Sequence, residues 1–150
     1  LLTAAESSLV NRVGDGVDGV DGTLASIYNA RAAIETESNM FQEAHDDFGA
    51  ALRHIERALA TGELQRPTIR EAFAFGGVGN GLQGLKRYPE AESAYRRCIQ
   101  VYSDPSTPLS TISVAPTNLA SCLWLQGRLT EAETLLHTII IDRNDVSSYR

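Results

Sequence analysis

The chain has 150 residues, is 43% hydrophobic and 21% charged, and carries a formal net charge of −6 with two cysteines. That balance fits one globular domain or a short repeat array. It opposes general nucleic-acid binding, which needs a basic face to displace counterions from phosphates, and it disfavours an anionic membrane surface. No apolar run approaches the ~20 residues of a membrane helix. "LLTAAESSLVNRV" lacks the charged start and long apolar stretch of a signal peptide. The chain opens without Met and stops inside "DVSSYR", so a piece of a longer protein is expected. Cys98 and Cys122 fall within helical apolar patterns and are too few for a disulfide scaffold. They are expected to be buried free thiols in a reducing, cytoplasmic compartment.

Residues 1–22 read as a partial helix followed by a flexible acidic loop, "GDGVDGVDG" at 14–22. Gly at that density breaks helix and strand alike. Asp15, Asp18 and Asp21 recur every third residue, whereas a calcium loop needs oxygen ligands at alternate positions and a closing Glu. Helical periodicity follows at about 23–37, 40–60, 67–84, 88–102, 111–126 and 129–142. No strand-like alternation persists, so the chain reads as all-α.

Three of these segments share one layout: "MFQEAHDDFGAALR" at 40–53, "RYPEAESAYRRCIQ" at 87–100 and "RLTEAETLLHTIII" at 128–141. In the middle copy Tyr88, Ala91, Tyr95, Cys98, Ile99 and Tyr102 fall on one helix face. The same offsets give Phe41, Ala44, Phe48, Ala51, Leu52 and Ile55 in the first copy. In the last they give Leu129, Ala132, Leu136, Ile139, Ile140 and then Arg143. Glu43, Glu90 and Glu131 precede the shared Ala, where a carboxylate favours the positive end of the helix dipole. Pro89 suits a helix start, and Thr130 with Glu133 has the spacing of a capping box. Pro116 starts or kinks its helix. Ala44, Ala91 and Ala132 recur at intervals of 47 and 41 residues. Two helices per such period mark a helical-hairpin solenoid.

The stretch "AFAFGGVGNGLQGLKRYPEAESAYRRCIQV", 72–101, resembles a tetratricopeptide repeat. Phe75, Val78, Gly79 and Leu82 match the family's first helix, and Tyr88, Ala91, Tyr95 and Cys98 its second. Residues 118–140 match similarly through Leu119, Ala120, Leu123, Ala132 and Leu136. In 28–52, Tyr28 and Ala32 fit, but Arg31 and Glu35 stand where large apolar residues are expected. The periods exceed the family's usual 34 residues and resemble the longer repeats of kinesin light chains and NLR-like signalling ATPases. The resemblance implies a right-handed α-solenoid of about three antiparallel hairpins. They would occupy about 24–60, 67–105 and 111–143 within a repeat region at 23–144, and 145–150 would begin a truncated further element.

The resemblance also implies a concave groove lined by the first helix of each hairpin. In the second hairpin that face carries Phe73, Gly76, Gly77, Asn80 and Gln83; in the third it carries Asn118, Ser121 and Trp124. Gly76 and Gly77 would leave room for a bound peptide, and Asn80 would hydrogen-bond it. Gly79 is explained by helix packing, and Gly84 would help end its helix. Trp124 is expected to pack under a following repeat, with a groove contact as the alternative. Chaperone-tail clamps of this family add Lys and Arg to such Asn residues. Those cations are missing here, so binding of that kind is not expected.

"GNGLQG" at 79–84 satisfies G-x-G-x-x-G, but a dinucleotide site needs a strand before it, and "TIREAFAF" reads as helix. His45, His54 and His137 have no metal spacing. His45, Asp46 and Asp47 are expected on a solvated face, as are the Arg and Lys of 53–57, 86–87 and 96–97 with their neighbouring Glu residues. No catalytic residue, metal or cofactor is assigned. The expected function is a non-catalytic interaction or scaffold module that binds a protein or peptide, not nucleic acid or membrane. A ligand-sensing regulatory domain of a signalling ATPase or transcription regulator is the alternative. Exposed array ends would permit self-association.

Overall fold

The computed structural model describes residues 19–66, 68–105 and 114–147, with side chains to Ile140. Its six helices are, in order, α1 (Val20–Glu37), α2 (Phe41–Thr61), α3 (Ile69–Gly84), α4 (Tyr88–Tyr102), α5 (Ala115–Leu125) and α6 (Leu129–Ser147). There is no strand among the described residues. Consecutive helices pack as hairpins α1–α2, α3–α4 and α5–α6. The first helices also touch along the stack, α1 on α3 and α3 on α5, while α2, α4 and α6 do not touch one another. One row of helices is therefore drawn together and the other splayed, which is how a solenoid acquires a concave side.

The turn inside each hairpin is built the same way three times. Asn39, Lys86 and Gly127 all have positive φ, at 60°, 61° and 76°, and they are related by the same 47- and 41-residue offsets. Around each, Met40, Arg87 and Arg128 donate their backbone N–H to Glu35, Leu82 and Leu123 at 2.8, 2.8 and 3.0 Å. Asn39, Lys86 and Gly127 donate to Thr36, Gln83 and Trp124 at 3.1, 3.0 and 2.9 Å. This pair of bonds is the Schellman closure, which satisfies carbonyls left over at a helix end.

The next helix starts without a side-chain cap at α2 and α4. Instead Arg87 grips Glu90 at 2.6 Å, and Arg128 grips Glu131 at 2.6 Å. In each pair the hydrogen bond is the main influence holding the Glu carboxyl below its usual range. The capping box expected from Thr130 and Glu133 does not form. Leu129 already opens the helix, so Thr130 lies inside its first turn. Pro89 and Pro116 both sit in a first turn, so Pro116 starts its helix and does not kink it. The first helix opens at Val20, three residues earlier than expected, with Asp21 bound to His54 at 2.6 Å. Asp15 and Asp18 lie outside the described residues, as does 106–113. The last helix runs on to Ser147, through positions expected to begin another element.

The three shared alanines, Ala44, Ala91 and Ala132, are buried at the centre of their hairpins. One core gathers Ala32, Phe48, Ala51, Ile55 and Ala74 between the first two hairpins. A second gathers Leu82, Tyr95, Leu119, Cys122 and Leu123 between the second and third. Cys98 and Cys122 are buried free thiols.

The glycines of α3 let these layers close. A Cβ at Gly79 would lie 2.5 Å from the Tyr95 ring, and one at Gly84 would overlap the Phe41 ring. Gly84 is thus a close-approach position. The left-handed residue that ends α3 is Lys86.

The two charges at apolar positions of α1 have a structural answer. Arg31 makes a two-pronged ion pair with Asp47 of α2, one arm at 2.7 Å. Asp47 is therefore largely withdrawn from solvent, contrary to its expected place on a solvated face. Glu35 is drawn into the same cluster, and its Oε2 is buried without a hydrogen-bond partner. Burial first, then the Asp47 charge, raises the Glu35 carboxyl above its usual range, with Arg31 opposing. The folded chain thus holds this proton more tightly than the unfolded one. The group contributes stability below its ordinary pKa and loses it as pH rises through the raised value. Glu35→Gln is expected to raise stability at pH 7 by about 1 kcal/mol, the scale of one unsatisfied buried polar atom. The gain should shrink toward pH 4, which thermal unfolding at the two pH values checks.

Candidate functional site

Two hollows hold residues expected to line a groove, the first among α1, α3, α4 and α5 and the second between α5 and α6. The first, of about 440 Å³, is bounded by the ends of α1 and α4, the middle of α3 and the start of α5. Phe73, Gly76, Gly77, Asn80 and Asn118 line it, five of the eight residues expected to share a groove. Phe73 is 47% exposed and Val114, also in the lining, 63%. Thr36, Glu37 and Tyr102 complete the rim and were not anticipated. The 47-residue offset relates Thr36 to Gln83, so the repeat register itself carried the signal for α1. Glu37 is the one carboxylate in the lining, and no Lys or Arg is among the described lining residues.

The glycines here are not bare backbone. A Cβ at Gly77 would overlap the Phe48 ring of α2, so Gly77 is a packing contact. A Cβ at Gly76 would meet Cys98 Sγ at 3.4 Å, an ordinary contact, so only Gly76 leaves room on this face. Phe48 and Phe73 meet edge to face at 6.0 Å, which ties the groove's main aromatic to the core.

Asn80 is engaged within the fold. The Tyr95 hydroxyl donates to Asn80 Oδ1 at 2.8 Å, with Gln83 Oε1 at 3.1 Å as its second acceptor. Asn118 Nδ2 donates to the same Asn80 oxygen at 3.1 Å. Burial pushes the Tyr95 phenol far above its usual range, so it remains a donor at any physiological pH. The two asparagines thus bridge the second and third hairpins through the floor of the groove. Gln83 faces Tyr95 and does not line the hollow.

Ser121 and Trp124 stand apart from the other six. They line the second hollow, of about 470 Å³, between α5 and α6. Trp124 is 62% exposed. Nothing among the described residues packs over it, and a following repeat, expected to cover it, lies outside them. Glu92 of α4 ties the second hairpin to the α5–α6 turn of the third. It accepts from Arg96 at 2.8 Å and from Arg128 at 2.6 Å, and Gln126 donates to it at 3.2 Å. Burial works to raise its pKa, but these hydrogen bonds outweigh it and hold the carboxyl below the usual range.

This all-helical stack of hairpins is a tetratricopeptide-like α-solenoid. Among solved structures it is similar to the crystal structure of the TPR domain of Arabidopsis FLU, with a TM-score of 0.69 and 20% sequence identity. The likeness covers 83% of this chain and 98% of that one. At that identity it speaks for the fold. No family model matches the chain, and no curated protein does. No helix among the described residues is long and apolar enough to cross a membrane.

Proposed function

We propose that the chain is a non-catalytic protein-interaction module that holds an extended peptide or a partner helix in the groove of Phe73, Gly76, Asn80 and Asn118. The observation that carries this reading is the exposed Phe73, held by Phe48 at the mouth of a 440 Å³ hollow. A rigid, half-exposed aromatic beside polar amides is the composition of a binding anchor with its orienting groups. The fold supports it, since tetratricopeptide-like stacks present such a concave side. The 47- and 41-residue periods extend the reading to a module within a larger signalling or assembly protein, of the long-repeat kind resembled by kinesin light chains and NLR-like ATPases.

The test compares three baits in extract from the source cell: the chain itself, a Phe73→Asp, Gly76→Gln variant, and a Leu136→Glu variant that leaves the groove intact. Both substitutions in the groove variant replace accessible positions, so helicity by circular dichroism should be unchanged. A protein captured by the chain and by Leu136→Glu, but lost with the groove variant, is the expected result. Equal capture by all three would contradict it.

A further inference from the structure

The groove on α3 has an electrically one-sided lining. Glu37 is the single charged residue among its described lining residues, and it is the last residue of α1. The negative end of the helix dipole falls there, so a carboxylate is unfavourable and a cation favourable. Yet the last turn of α1 holds no basic residue, and Glu37 has no ion pair among the described residues. The apolar part of the lining, Phe73, Val114 and Tyr102, comes from α3, the residue before α5 and the end of α4.

Between these parts stand the two asparagines, each with one polar atom to spare. Asn80 Oδ1 is taken by Tyr95 and Asn118, and Asn118 Nδ2 is its donor. Among the described residues Asn80 Nδ2 and Asn118 Oδ1 have no partner, and neither atom is buried. One free donor beside one free acceptor matches the C=O and N–H of an extended backbone. A helical ligand has already spent both groups on itself.

The spacing of the two ends follows from the register of the helices. α1 and α3 run in the same direction: Asn29 donates to the Arg70 carbonyl at 3.2 Å, and further along both helices Glu37 and Asn80 share the hollow. Glu37 is thus level with about residue 78 of α3, about 7–8 Å along the axis from Phe73 and about one helix width, 8–10 Å, across it. Two or four residues of extended chain span about 7 or 13 Å and put their side chains on one face. A Lys or Arg side chain bridges the remainder of the shorter span.

The chain itself supplies no matching occupant. The stretch 106–113, "STPLSTIS", joins Tyr102 to Val114 in sequence but carries no cation, and 1–18 sets one Arg against Glu6, Asp15 and Asp18. A hairpin stacked on either end would meet α1–α2 or α5–α6 and leave the hollow on α3 between them. A second copy, of net charge −6, would bring like charge to Glu37.

We propose that the groove holds an extended basic segment of a partner protein, with a Lys or Arg at Glu37 and an apolar side chain against Phe73 and Val114, two or four residues apart. Asn80 and Asn118 grip the backbone between them. The net charge of the chain steers such a segment toward it. This inference rests on the groove reading above and adds the chemistry of the ligand.

The test selects a phage-displayed library of random peptides on three baits: the chain, a Glu37→Lys variant, and the Phe73→Asp, Gly76→Gln groove variant. The chain should enrich sequences with Lys or Arg two or four residues from an apolar residue. Glu37→Lys should exchange that cation for Asp or Glu and keep the apolar residue, and the groove variant should enrich neither set. Fluorescence anisotropy with the best peptide from the chain gives the magnitudes. Glu37→Gln should weaken it by about threefold, as for an exposed ion pair, and Glu37→Lys by about tenfold or more, through like-charge contact. Glu37 is exposed and ends its helix, so neither variant should melt below the chain itself. Equal enrichment by the chain and Glu37→Lys of peptides that the groove variant loses, or groove-dependent peptides without a cation, would overturn this proposal and leave the groove reading standing. Peptides enriched equally by the chain and the groove variant would overturn both. Enrichment on no bait would overturn the extended ligand, while the capture experiment above would still report on a folded partner in the groove.

Discussion

Tyr95→Ala is expected to destabilise the chain by about 3–5 kcal/mol, the range for removing a buried aromatic side chain. Tyr95 is 1% exposed and sits where α3, α4 and α5 meet. Its ring fills the space that Gly79 vacates, and its hydroxyl feeds the Asn80–Asn118 bridge. Tyr95→Phe keeps the ring and removes the donor. It should cost about 1–2 kcal/mol, because Asn80 Oδ1 retains Asn118 but Gln83 Oε1 loses the hydroxyl. Chemical denaturation measures both. Native-state hydrogen exchange adds a spatial readout: in Tyr95→Phe the loss of protection should be greatest in α5, which the bridge attaches to α3. A domain of this size has roughly 5–15 kcal/mol of stability to lose, so Tyr95→Ala should populate unfolded chains at moderate temperature.

A glycine-to-alanine series in α3 should split in sign. Gly76→Ala has room beside Cys98 and gains helix propensity, so it is expected to stabilise by up to ~1 kcal/mol. Gly77→Ala and Gly79→Ala drive a methyl into the buried rings of Phe48 and Tyr95. Overpacking of that kind costs about 1–3 kcal/mol, enough to exceed the propensity gain. Pairing Gly77→Ala with Phe48→Leu should recover part of the loss, because the two residues act at one contact. Melting temperatures of the four variants decide the matter. Uniform stabilisation across the series would mean that these glycines are tolerated, not required for closure.

The hairpins were legible because their cause is local and repeated. Three helices carry the same apolar stripe around the same buried alanine, and three turns end on the same left-handed position. The turns themselves were harder to see. Gly127 and Asn39 are of the types that readily take positive φ, while Lys86 is found by the repeat offset and not by residue type. Side-chain partners were harder to foresee than faces. Asn80 lies on the face expected of it, but sequence spacing sets a face and not a partner, and its partners Tyr95 and Asn118 lie 15 and 38 residues away. Asp47 looked solvated beside His45 and Asp46, since nothing local shows Arg31 arriving from the preceding helix. Gly77 read as groove space because the Phe48 ring that fills its place comes from another hairpin. For Trp124 the helix face was foreseen and its surroundings were not, because burial there depends on whether another helix stacks against α5 and α6.

The claim that the groove on α3 and α5 is the recognition surface is tested most directly by nuclear magnetic resonance of the chain with the partner segment that the baits identify. The side-chain amides of Asn80 and Asn118 and the backbone amides of Phe73 and Gly76 report on the groove, and the Trp124 indole N–H reports on the open face between α5 and α6. The account predicts shifts and line broadening at the first group as the segment is added. Shifts confined to the Trp124 indole and its neighbours, or to the outer faces of α2 and α4, would contradict it.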